Sequence, residues 1–128
     1  MNEKLSSIQI AFSGKLVGSK QMKAYICETV SLMPDEIIKF VTKNCWFVAS
    51  FEDAWAFTFT GNDLKNQHLI FLSDELLREN KKQIFYSIAH EIGHVMLNHR
   101  NSTLVSQTRE EIRKQEEEAD EFALKHLP

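Results

Sequence analysis

Three features of the sequence predict an α+β domain. Helical periodicity fills the first and last parts of the chain, and an aromatic, β-branched stretch lies between them. No repeat, low-complexity tract or linker divides residues 1–128, which are expected to form a single domain. With 43% hydrophobic and 26% charged residues, the composition is that of a soluble globular chain able to bury a core without cross-links.

A net charge of −3 gives no basis for a nucleic-acid or anionic-membrane partner. No run approaches a membrane span, and the opening Met-Asn-Glu-Lys-Leu-Ser-Ser-Ile-Gln-Ile is too polar for a secretory signal. A cytoplasmic location is therefore expected. Cys27 and Cys45 are the only cysteines and are expected as reduced core thiols without a role.

Residues Met1 to Val17 are weakly patterned and read as partly helical or loosely ordered. Ser19 can cap a helix from Lys20 to Leu32 that turns Met22, Tyr25, Ile26, Thr29 and Val30 inward. Pro34-Asp-Glu opens a second helix, with acids at the positive end of its dipole, that buries Ile37, Ile38 and Val41 and ends near Asn44. Trp46 to Phe51 and Ala54 to Thr60 then read as strands, Trp55, Phe57 and Phe59 alternating with small residues. Glu52-Asp53 fits a tight hairpin turn between them, and Gly61-Asn62-Asp63 a second reversal. His68 to Leu72 is a third strand, apolar enough to be buried on both faces. His68 itself, alone at the strand start, is expected at the surface and not on a metal. Ser73-Asp-Glu begins a short helix, and Asn80 with Gln83 starts the next, longer one.

Ser87 to His99 concentrates the chemistry, because it contains His90-Glu91-x-x-His94. Residues i and i+4 share a helix face, so both imidazoles can reach one ion. Glu91 lies about 100° round the helix from His90, placed to hold a water beside that ion. Two nitrogen ligands, an open position and a base are what a zinc hydrolase needs. Ile84, Phe85, Ile88, Ala89, Ile92, Val95 and Met96 give this helix a broad apolar surface, so it should be largely buried. Gly93, which costs about 1 kcal/mol against alanine in a helix interior, points to another backbone passing close. His99 falls about 140° round the helix from His94 and is left out of the ligand set.

A third protein ligand is expected in a catalytic zinc site. Arg100-Asn-Ser-Thr reads as a polar loop over the cleft, and Thr108-x-x-Glu111 as a capping box opening a last helix. On that helix Glu116 and Asp120 share the apolar side with Ile112, Ala119, Ala123 and Leu127. A carboxylate there is costly unless a cation meets it. Asp120 can accept the ring N–H of a ligating histidine. Glu117, Glu118 and Glu121 read as a solvated face, with Glu118 the alternative ligand if the helix is rotated.

His-Glu-Ile-Gly-His-Val-Met-Leu-Asn-His, followed by Glu-x-Glu-Ala-Asp-x-Phe-Ala and Leu-Pro, resembles the ImmA/IrrE-type zinc metallopeptidases. These are compact, gluzincin-like proteins of bacteria, phages and mobile elements. The resemblance covers the chain from the His68 strand to Pro128; the first half has no matching signature. It implies that His90, His94 and Glu116 bind one zinc ion and that Glu91 is the general base. It also implies a small zincin-like domain, its sheet of three or slightly more strands packed on the His90–His94 helix and its C-terminal helix carrying the third ligand. Many members of that family carry a helix-turn-helix domain; this chain has no room for one, so no direct nucleic-acid role is expected. The same motif pair also looks like the HtpX-type membrane proteases, whose transmembrane helices are missing here.

The expected activity is zinc-dependent hydrolysis of a peptide bond in a protein or peptide substrate, Glu91 taking a proton from the zinc-bound water. Tyr86, Arg109, Arg113 and His126 are unranked candidates for stabilising the oxyanion. The alternative is a zinc-stabilised regulatory module that binds a repressor or toxin partner with little or no catalysis. Against it, structural zinc sites more often use four protein ligands, and such a module would not need Glu91.

Overall fold

The computed structural model describes residues 3–50, 56–59, 67–98 and 107–128. Among these described residues five helices and four strands follow in the order α1 (Glu3–Phe12), β1 (Leu16–Val17), α2 (Lys20–Ser31), α3 (Asp35–Asn44), β2 (Cys45–Ser50), β3 (Ala56–Phe59), β4 (His68–Ser73), α4 (Lys81–Met96) and α5 (Arg109–His126). A short 3₁₀ turn, Asp74–Arg78, joins β4 to α4. The α+β class is as the sequence predicts.

Local chemistry starts the helices. The Ser19, Asn80 and Thr108 side chains accept hydrogen bonds from the backbone N–H groups of Met22, Gln83 and Glu111. Each satisfies a donor that the first helical turn leaves without a partner. At Thr108 the bond is reciprocated by Glu111, completing the capping box. The weakly patterned start folds as α1, which buries only Ile8 and Phe12. Two buried positions in ten residues leave little periodic signal to read.

The sheet has the order β1-β2-β4-β3. β1, β2 and β4 run parallel, and β3 pairs antiparallel with β4 at the edge. This corrects the hairpin expected at Glu52-Asp53, which would have made β2 and β3 neighbours. Instead β2 pairs residue for residue with β4, Cys45 opposite His68 through Ser50 opposite Ser73. The physical reason is burial: the most apolar strand takes a central position between two neighbours, and the alternating one takes the edge. The Glu52-Asp53 and Gly61-Asn62-Asp63 turns themselves lie outside the described residues.

Phe47, Ile70 and Leu72 of the sheet join Ile84, Ile88 and Ile92 of α4 in one core with Met22, Ile26, Val30 and Val41. Phe12 meets Phe47 edge to face, with ring centroids 5.7 Å apart. Cys27 and Cys45 are buried free thiols within this core. Burial raises both, Cys27 to about 11 with help from Glu28 and Cys45 to about 12, so neither is a ready nucleophile. Among the described residues no helix is long and apolar enough to cross a membrane.

α4 lies against β3 and β4 on one side and α5 on the other. Gly93 sets the second approach: a Cβ there would sit 3.1 Å from Phe122 Cβ. The sequence points to a close backbone at this position; what arrives is the root of a phenylalanine side chain. Phe122 Cβ cannot move without its helix. Gly93→Ala gains about 1 kcal/mol in helix propensity, whereas overpacking costs about 1–3 kcal/mol. A net loss of about 1 kcal/mol is expected in urea unfolding of the metal-free protein, as a lower midpoint at unchanged slope. A raised midpoint would show that α5 yields freely.

Candidate metal centre

Helix spacing stacks His90 and His94 on α4, and Glu116 and Asp120 on α5, one turn apart in each pair. Because the helices pass close and antiparallel, the two pairs meet. His90 Nε2 lies 2.9 Å from Glu116 Oε2, and His94 Nε2 lies 3.2 Å from Glu116 Oε1. The two Nε2 atoms are 3.1 Å apart, their rings edge to face. One donor atom from each of the three residues falls within 4.8 Å of the others, a group that could hold a metal ion. Four-coordinate zinc with ligands at about 2.0–2.1 Å would set neighbouring donors roughly 3.3 Å apart. The triangle has the size such an ion requires.

The imidazoles are sheltered and the carboxylate is not: the side chains of His90 and His94 are 14% and 13% exposed, and that of Glu116 54%. The cluster therefore opens to solvent along α5. Burial alone would lower the His90 pKa. The hydrogen bond to Glu116 and the charges of Glu91, Glu116 and Asp120 outweigh it, and the value is raised. Hydrogen bonds from His90 and His94 hold the Glu116 carboxyl far below its usual range, against the effect of burial. Three carboxylates acting on one imidazole make a pocket of negative potential that suits a cation.

Asp120 Oδ1 lies 2.8 Å from His90 Nδ1, although out of line for a ring N–H to donate well. The Tyr86 hydroxyl donates to the same oxygen. Burial, that hydrogen bond and the charges of Asp120 and Glu116 push the Tyr86 phenol up to about 12, so it stays protonated as a donor. Glu91, next to His90, is buried with α4 at 7% exposure.

The other residues singled out in the sequence fall elsewhere. Glu118, the alternative ligand, is half-buried and lines a cavity of about 520 Å³ with Pro34, Ile37, Met96 and Phe122, apart from the donor triangle. Arg113 is held by Glu110 and Glu117 on the exposed side of α5. His126 stacks near Phe122, centroids 4.5 Å apart, its pKa lowered by burial and Lys125. Arg109 is exposed at the start of α5. Tyr86, an oxyanion candidate from sequence, is engaged with Asp120 instead. Its spacing, one turn before His90 on the same helix, was the signal available for it. His68 corrects another expectation. It is 6% exposed, not on the surface, because β4 is a central strand and Phe40 covers the ring at 5.9 Å. Its Nδ1 has no hydrogen-bond partner, and burial lowers its pKa. His99 and the loop beginning at Arg100 lie outside the described residues.

With this geometry in view, comparison with known proteins adds one likeness. Residues 81–127 match the model of the family described as Peptidase U49. The match spans α4 and α5, with every residue of the donor triangle, and covers less than half of the chain. It supports a peptidase in general, a coarser likeness than the ImmA/IrrE-type resemblance. No curated protein and no solved structure matches the chain.

The metal-free cluster has a pH signature. His90, raised above its ordinary 6.5, adds stability that is fully present below 6.5 and fades as pH rises through the folded value. Glu116, held below its ordinary 4.5, adds stability that is present above 4.5 and lost as pH falls. In chelator, Glu116→Gln should therefore lower the melting temperature most between pH 4.5 and 6.5, and less at pH 8. A difference that stays flat across this range would show that the His90–Glu116 pair does not titrate as a unit.

Proposed function

We propose that this chain is a zinc-dependent peptidase that hydrolyses a peptide bond in a protein or peptide substrate. His90, His94 and Glu116 are its zinc ligands, one ion per chain, and Glu91 is its general base. The observation that carries the proposal is the triangle of two imidazole nitrogens and one carboxylate oxygen, with Glu91 beside it on the same helix. The Peptidase U49 likeness over the same two helices supports it. Two imidazoles with a carboxylate suit zinc better than magnesium or calcium, which take oxygen ligands.

Bound there, the ion would supply Lewis acidity, lowering the pKa of water towards neutrality and polarising the scissile carbonyl. The chain's own groups do the remaining work. The Glu91 carboxylate takes the proton of the attacking water, holds it, and delivers it to the leaving amine nitrogen. Burial of Glu91 keeps bulk water from competing for that proton. Asp120 lies 2.8 Å from His90 Nδ1, where it can accept the ring N–H once the two come into line and so keep Nε2 towards the ligand position. β3 is the edge strand nearest α4, and an extended peptide adding along it would be held by backbone hydrogen bonds beside the site. Such recognition reads little side-chain sequence.

Two experiments bear on this. Glu116→Ala should weaken zinc binding and reduce the rise in melting temperature that zinc gives the wild type, since a ligand that binds only the folded state stabilises it. Glu118→Ala should leave both unchanged; if it is the substitution that strips the metal, the register of α5 at the site is wrong. Separately, Glu91→Gln keeps size and hydrogen bonding but removes the base. Zinc content should match wild type while cleavage of a peptide pool falls by about two to four orders of magnitude. Equal cleavage by both proteins removes Glu91 from the mechanism. No cleavage by either, with both capturing the same regulatory protein, favours the zinc-stabilised binding module.

A further inference from the structure

Tyr86 lies one turn before His90 on α4 and is no part of the donor triangle. Its hydroxyl nevertheless reaches across to α5 and donates to Asp120 Oδ1, the oxygen that lies 2.8 Å from His90 Nδ1. The ring itself is partly buried against the core and stands 6.1 Å from the His90 ring, tilted by 35°. On its other side it walls a cavity of about 830 Å³ with Phe85, Leu124 and Leu127. Tyr86 thus both lines that cavity and bonds to the carboxylate that faces the first histidine.

We propose that Tyr86 is a positioning residue that acts through Asp120 to fix the ring of His90; this rests on the zinc site proposed above. The chemistry follows from counting donors. A carboxylate oxygen that faces only one ring nitrogen can swing about its own side chain. On an α5 face where Asp120 is 46% exposed, water competes for it. A second donor from a rigid, half-buried ring removes that freedom. Tyr86 anchors Oδ1 2.8 Å from His90 Nδ1, so that a small turn of the ring brings its N–H into line with a fixed acceptor. With an ion bound, Nε2 would turn its lone pair to it between Glu116 and His94, the tautomer that a metal ligand needs; without one, Nε2 donates to Glu116 Oε2 at 2.9 Å. The phenol serves as a dependable donor because burial and the neighbouring carboxylates keep it protonated. The i, i+4 spacing of Tyr86 and His90 on α4 mirrors that of Glu116 and Asp120 on α5, so one rigid helix pair sets all four side chains at once.

The test is a double-mutant cycle on zinc affinity, measured by competition with a chromophoric chelator, using Tyr86→Phe, Asp120→Ala and both together. Tyr86→Phe removes one oxygen and keeps the ring, so the metal-free melting temperature should match wild type. Zinc affinity should fall roughly tenfold, the low end of the range for groups behind a ligating histidine. In the Asp120→Ala background the same change should have no further effect. Wild-type affinity in Tyr86→Phe overturns the positioning role and leaves the zinc site standing. So does an equal loss in both backgrounds, or a loss matched by an equal fall in metal-free stability, since each marks a packing role. A wild-type chain that takes up no zinc overturns the proposed function, and this inference with it.

Discussion

The contact between Gly93 and Phe122 is the constraint on which the site depends. It fixes how near α4 and α5 come, and the distances between imidazoles and carboxylate follow from that spacing. Shifting α5 by one residue would turn its surface by about 100° and replace Glu116 with a neighbour that points elsewhere. A side chain at position 93 would separate the helices before any ligand was touched. Glycine is a poor helix former, so its place in the middle of the most buried helix makes sense only if closeness there matters more than propensity.

The two helices are anchored unequally. α4 is built into the core through Ile84, Ile88, Ala89, Ile92 and Val95 and packs on the sheet. α5 buries only Ala119 and Ala123, and much of its surface is charged. Its hold on the fold comes from a narrow seam of small residues, the Phe122 wedge, the capping box at Thr108 and the polar cluster at His90. Without a cation that cluster gathers Glu91, Glu116 and Asp120 around one imidazole, whose pKa is raised by their charges. A divalent ion would relieve the repulsion and cross-link the loosely held helix to the firmly held one. Binding of such an ion and the docking of α5 would therefore be expressions of one free energy.

What the sequence made legible was what local spacing determines. Ser19, Asn80 and Thr108 announce helix starts because a cap needs partners only two or three residues away. His90 and His94, like Glu116 and Asp120, announce shared faces because one helical turn does. Even the pairing of Glu116 with the histidines could be argued, since a carboxylate on an apolar stripe needs a positive partner. Strand order was another matter. Nothing within Trp46 to Thr60 says that β4, far along the chain, will insert between β2 and β3. The burial of His68 follows from that insertion, and so it was hidden as well. The bond from Tyr86 to Asp120 joins residues 34 positions apart and depends on the same helix approach.

Three acidic side chains crowd His90, and their different settings assign them different work. Glu116 sits at the Nε2 edge with its carboxylate more than half exposed, where it can share an ion with the two rings while solvent or substrate approaches. Asp120 sits at the opposite nitrogen, anchored by a phenol, where it can turn the ring without meeting the ion. Glu91 is needed by neither arrangement. The triangle of donors is complete without it, and Asp120 faces His90 Nδ1 from the other helix. Glu91 is nonetheless 7% exposed, on the same helix as the two histidines. Its place next to His90 makes sense if a proton must be taken up and handed on there. The same logic separates a catalytic site from a structural one: a hydrolase would need a base at position 91, and a structural zinc site would not.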